Sequence, residues 1–177
     1  MFATHTLKNI NVKTIAFVAA FTALSVVTPM LLHVVAGPAA GRLFLPMHLF
    51  VFVAALLLGW RAGLAVGLLA PLISYSLTGM PLIIILPLII TETALYGILA
   101  GYFYKTRKWN IILSVASAMV LGRIMLLTTI AILPIKISAI AYVLSAAYAG
   151  VIGIAIQLIL IPLIYKSLKK YISDEKI

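Results

Sequence analysis

Glu92 and Arg123 are the one acid and the one base that fall well inside long apolar runs, ITETALYG and MVLGRIML. Each costs roughly 2.5–3.5 kcal/mol at the centre of a membrane helix on insertion scales, so each needs a partner or a polar cavity. A guanidinium offers paired donors to a carboxylate or phosphate, and a carboxylate accepts from a hydroxyl, an amine or a ring N–H. Their depths agree. At about 1.5 Å per residue, Glu92 stands about 18 Å above Tyr104 and Arg123 about 21 Å above Trp109. Two compatible readings stand: a buried ion pair joining two consecutive helices, or a pair that lines a substrate cavity open to the outside. Tyr96, one turn below Glu92 on the same face, suits a cavity wall. His48 opens an apolar segment at the same end, and His33 lies near the end of another. Gln157 reads as an interhelical hydrogen-bonding group. Tyr75, Tyr142 and Tyr148 are stacking groups or members of an aromatic belt.

The elements that must position these groups are apolar helices. The chain has 177 residues, 65% hydrophobic and 9% charged. A soluble domain carries about 25% charged residues, so this composition excludes that class. Runs near 20 apolar residues cross a hydrocarbon core of about 30 Å. Six are expected, over about 12–35, 47–58, 62–76, 82–105, 109–133 and 138–166. The first is too long for the core of a cleavable signal and reads as a retained helix. The fold class is therefore an all-α membrane protein, with residues 1–177 forming a single integral membrane domain.

The punctuation carries further expectations. Gly59-Trp60-Arg61-Ala62-Gly63 is a tight hinge between the second and third helices. Pro71 kinks the third and strips a partner from the Gly67 carbonyl. Ser74, Tyr75, Ser76 and Thr78 form a polar outer rim, and Arg42 to His48 approach the site as a lid. Gly63/Gly67 and Gly97/Gly101 are spaced for close helix contact, as are Gly150 and Gly153 with Ala146, Ala147 and Ala149. On the first helix Ala16, Ala19, Ala20 and Ala23 share one face, which suits either internal packing or docking of a partner helix.

The net charge of +10 lies at helix ends. Lys8, Lys13, Arg61, Lys105, Arg107, Lys108, Lys166, Lys169, Lys170 and Lys176 fall on the side of both termini, against Arg42 and Lys136 opposite. That ten-to-two bias expects cytoplasmic termini, and it reads as topology rather than nucleic-acid binding. There is no cysteine, no phosphate-binding GxxxxGK[ST] loop, no HExxH and no GxSxG. An ATP site of the P-loop type, a metal centre and an enzyme of these classes are not expected. A stand-alone ion-coupled transporter is the alternative class, with Glu92 as its single intramembrane carboxylate. A ligand-free structural subunit is a third.

The segments LPMH…LLLGWRAGLAVGLLAPLISYSLTGMP and ETALYGILAGYFYK, the alanine-rich AxxxA face and Gly122-Arg123 together resemble the substrate-binding S components of energy-coupling factor transporters. The resemblance covers essentially the whole chain. It implies a small membrane protein that captures a vitamin or vitamin precursor from outside, without a cofactor. The ligand would lie under the loop between the first two helices, against the fourth to sixth. The partners would be a transmembrane T component, met through the AxxxA face, and two ATPases. Glu92, Arg123, Tyr96 and His48 are the expected ligand contacts, and pantothenate, a flavin or a pyrimidine-type ligand would suit them.

Overall fold

The computed structural model describes residues 12–37, 43–132 and 138–173. Seven α-helices account for nearly all of them: α1 (Val12–Ala36), α2 (Pro46–Leu58), α3 (Trp60–Thr78), α4 (Leu86–Gly101), α5 (Ile111–Ile132), α6 (Ala139–Ala149) and α7 (Val151–Ser173). No strand is present among the described residues. Among the described residues, five segments are long and apolar enough to cross a membrane: α1, α3, α4 with its extension to Thr106, α5 and α7. The α2 helix has 13 residues, about 20 Å at ~1.5 Å per residue, less than the hydrocarbon thickness.

Local chemistry sets the boundaries. Pro46 starts α2, where a missing N–H costs nothing. Pro87 does the same for α4, so that helix begins at Leu86 rather than near Leu82, and the proline lies in the first turn instead of interrupting a span. Asn110 Oδ1 accepts from the Leu113 N–H at 2.8 Å and caps α5. The expected hinge narrows to Gly59, whose φ of 97° ends α2 and whose carbonyl accepts from the Gly63 N–H at 3.1 Å in the first turn of α3.

The sixth expected helix is divided at Gly150, yet the ladder runs through. Gly150 N–H donates to the Ala146 carbonyl at 3.0 Å, and Ile154 N–H to the Gly150 carbonyl at 2.8 Å. Glycine is needed there and at Gly153 because the strand of chain before α2 lies against them. A Cβ at Gly150 would meet Leu45 Cδ1 at 2.8 Å, and one at Gly153 the Leu43 carbonyl oxygen at 2.6 Å.

The centre of the bundle is α2, buried along almost its whole length and packed by α1, α3, α4 and α7. Its Val51 to Leu56 are fully buried. The α3–α4 pair is the most intimate. A Cβ at Gly63 would meet the Gly97 carbonyl oxygen at 2.6 Å, and one at Gly67 the Thr93 carbonyl oxygen at 2.5 Å. These contacts advance four residues on one helix as they retreat four on the other, so the two run antiparallel. Close approach also solves the Pro71 problem. Thr93 Oγ1 donates to the Gly67 carbonyl at 2.6 Å, replacing the N–H that Pro71 lacks.

The polar end of α3 bonds largely to itself. Ser76 Oγ donates to the Leu72 carbonyl at 2.9 Å and Thr78 Oγ1 to the Ser74 carbonyl at 2.7 Å. These two rim hydroxyls thus satisfy carbonyls of their own helix, while Ser74 is buried. Arg42, Lys136, Lys8 and Lys176 lie outside the described residues, while the rest of the expected lid, from Leu43 to His48, is described.

Candidate functional site

Tyr96 stands between the two intramembrane charges. Its hydroxyl donates to Glu92 Oε1 at 2.6 Å and accepts from Arg123 Nε at 3.0 Å. Arg123 Nε also approaches Glu92 Oε1 at 3.6 Å. The helical spacing accounts for this: Glu92 and Tyr96, four apart on α4, present one face to α5. Gly122 makes the fit. A Cβ there would lie 2.6 Å from Tyr96 Cε1, so the residue before Arg123 must have no side chain. Tyr96 is buried and connects the two charges through its hydroxyl.

The other face of the cluster belongs to α2. Phe52 stacks on Tyr96 with ring centres 5.2 Å apart, and His48 lies 5.4 Å from it at a tilt of 54°. His48 is buried, and the charges of both Glu92 and Arg123 act on it. All four expected ligand residues thus meet at one place, drawn from α2, α4 and α5. Above them Leu88, Leu126 and Ile130 form a small apolar cluster against Tyr142 and Val143 of α6.

Gln157 has a larger part than an interhelical contact. Its Nε2 donates to the Leu45 carbonyl at 3.0 Å, and the same carbonyl accepts from the His48 N–H at 3.1 Å. The amide therefore fastens the chain entering α2, where Leu45 takes a left-handed φ of 49°. Gly150, at the junction of α6 and α7, together with Gly153 and Gln157 of α7, holds this segment. Their three- and four-residue spacing was the available signal, and it marked a backbone seat rather than a helix crossing.

The cluster is incompletely satisfied. Among the described residues, Arg123 Nη1, both ring nitrogens of His48 and Gln157 Oε1 are buried with no hydrogen-bond partner, as is Ser25 Oγ on α1. Buried polar atoms are ordinarily bonded, since each orphan costs about 1–3 kcal/mol. The Nη1 amine can donate twice, neutral imidazole can donate once and accept once, and the Gln157 oxygen accepts. Glu92 balances Arg123, so the pair attracts a polar group through unused donors more than through net charge. No group of three or more potential metal ligands occurs among the described residues.

His33 is half-buried in the last turn of α1, apart from these contacts, and Tyr148 is exposed. On α1 the packed side is Phe21, Thr22, Ser25 and Val26. Ala16, Ala19, Ala20 and Ala23 are all exposed, on the side that the chain itself leaves uncovered.

A family model described as "ECF transporter, substrate-specific component" matches residues 13–165. No curated protein and no solved structure gives a match.

Proposed function

The chain belongs to the substrate-specific components of ECF transporters, and from that premise we propose that it captures a vitamin or vitamin precursor at the Glu92–Tyr96–Arg123–His48 cluster. The observation that carries this reading is the set of unpartnered buried atoms, Arg123 Nη1, the His48 nitrogens and Gln157 Oε1. A ligand with a carbonyl or carboxylate oxygen would take the Nη1 donors, and an N–H or O–H would serve the Gln157 oxygen. Pantothenate, a flavin and a pyrimidine-type precursor all carry such groups. Tyr96 would hold Arg123 and Glu92 in place rather than bind directly, and Gln157 would secure the loop that covers the ligand.

Transport follows from membership combined with these surfaces. The whole chain acts as one substrate-binding domain in the cytoplasmic membrane. It crosses six times, with α2 as a short buried pass and α6–α7 together as the last, and with both termini in the cytoplasm. A T component docks on the exposed Ala16/Ala20 and Ala19/Ala23 pairs, and two ATPases supply the energy. The chain itself is no enzyme.

Reconstitution tests this. In liposomes the chain alone should bind ligand tightly without moving it, and uptake should appear when a T component and ATPases are added with ATP. Ion-dependent uptake by the chain alone would replace the proposal with an ion-coupled transporter.

A further inference from the structure

The basic end of the bundle holds a concavity lined by none of the capture residues. It is a cavity of about 310 Å³ lined by Tyr104, Lys105, Lys108, Trp109, Tyr165 and Lys169. Its walls come from three places in the chain: the end of α4, the start of α5 and the end of α7. The last turn of α4 widens into a π-helical turn over Tyr102–Thr106, with Arg107 N–H donating to the Tyr102 carbonyl at 3.0 Å. Lys108 then takes a left-handed φ of 60°, which only a few per cent of non-glycine residues adopt. Trp109 folds back to stack on Phe103, ring centres 4.5 Å apart and planes within 10°. Tyr104 Oη donates to Tyr165 Oη at 2.7 Å, and Lys169 Nζ lies 5.9 Å from the Tyr165 ring centre.

Three ammonium groups are thereby gathered around one opening. The charges of Lys108 and Lys169 both act on Lys105. Glu92 is the sole carboxylate among the described residues, and it sits in the other site. Like charges held together in a concavity call for an anion. The ammonium group suits phosphate oxygens as a compact point charge. Tyr and Trp rings mark the head-group level of a bilayer. Ile112 and Leu113, in the first turn of α5, and Leu160 and Leu163 of α7 are exposed apolar side chains on two of the elements that line the cavity, and they can lie along acyl chains.

We infer that this cavity binds the phosphate of an anionic phospholipid head group, with Lys105, Lys108 and Lys169 as its ligands and the α5 and α7 flanks against the lipid tails. The volume lies at the small end of ligand pockets and suits a head group rather than a whole lipid. Basic groups near a membrane each strengthen attraction to anionic lipid by about fivefold, so removing three costs on the order of a hundredfold.

The test is native mass spectrometry of the full chain from mixed micelles holding equal phosphatidylglycerol and phosphatidylcholine. The chain should retain phosphatidylglycerol over phosphatidylcholine by at least about tenfold. The Lys105→Gln/Lys108→Gln/Lys169→Gln variant should lose the preference, while the corresponding three arginine substitutions should keep it. A control with Arg107→Gln, Lys166→Gln and Lys170→Gln removes equal charge outside the cavity and should also keep it. No preference in the unaltered chain overturns the inference. So does equal retention by the glutamine variant, or equal loss in the control. Displacement of the lipid by millimolar inorganic phosphate assigns the cavity to a free anion and likewise rejects the lipid.

Discussion

At the scale of residues, the account turns on one phenol. Glu92 and Arg123 lie 3.6 Å apart at their nearest atoms, and the Tyr96 hydroxyl makes the closer bonds to both. Tyrosine can do this because its oxygen donates and accepts at once. The ring is fixed on one side by Phe52 and limited on another by Gly122. Gly122→Ala is therefore expected to push the Tyr96 ring off its bonds. Overpacking of this kind costs about 1–3 kcal/mol. Thermal unfolding should show that loss, and ligand affinity should fall with it. A variant with unchanged stability and affinity would mean that Tyr96 has room the structure does not show. The two charges were legible in the sequence because an acid and a base inside apolar runs have few uses. Their shared level followed from counting turns. The place of Tyr96 between them was only half legible: its spacing from Glu92 gave the face, but the direction of the ring depends on Gly122 and Phe52, which carry no charge to draw attention.

At the scale of elements, helices meet where side chains are small, and a polar group repairs what proline breaks. The Pro71–Gly67–Thr93 arrangement can be tested as a cycle. Thr93→Val removes the donor to the Gly67 carbonyl and should destabilise the protein by about 1–3 kcal/mol. Pro71→Ala supplies an N–H within α3, so the Thr93 substitution should cost clearly less in that background. Equal costs in both backgrounds, read from thermal unfolding, would show that the Thr93 hydroxyl serves Ile89 instead, whose carbonyl lies 2.7 Å away. The exposed alanines of α1 give a second prediction. Ala20→Leu should leave ligand affinity unchanged and reduce co-purification of the chain with a T component by about tenfold, a loss of close helix approach. Parallel loss of both activities would indicate misfolding instead. The alanine spacing was visible in the sequence; which side of α1 it fell on was not, because α1 is apolar all round and its pattern does not mark an inner face. The break at Gly150 was hidden for a similar reason. It follows from a backbone segment more than a hundred residues earlier, and Gly150 alone looks like any other small residue in a packed helix.

At the scale of the whole molecule, the two ends of the bundle differ in chemistry. One end gathers Glu92, Arg123 and His48 beside a segment that Gln157 pins at the Leu45 carbonyl, with donors and acceptors left over among the described residues. The other gathers lysines and aromatic rings at a boundary. Between them α2 is the short, buried axis on which the longer helices pack. Composition alone placed the chain in a membrane, and the family match over residues 13–165 agrees with the resemblance read from its motifs. The ligand's identity was not legible, because the charges offset each other and the remaining atoms suit several oxygen- and nitrogen-bearing molecules. Native mass spectrometry of the chain purified without added ligand, beside Arg123→Ala, addresses the central claim most directly. The unaltered chain should carry a small organic molecule as a discrete mass increment, and folded Arg123→Ala should carry at most about a hundredth of it, as expected from losing a charged hydrogen-bonding partner. Equal occupancy in the folded variant would contradict the assignment of this cluster as the capture site.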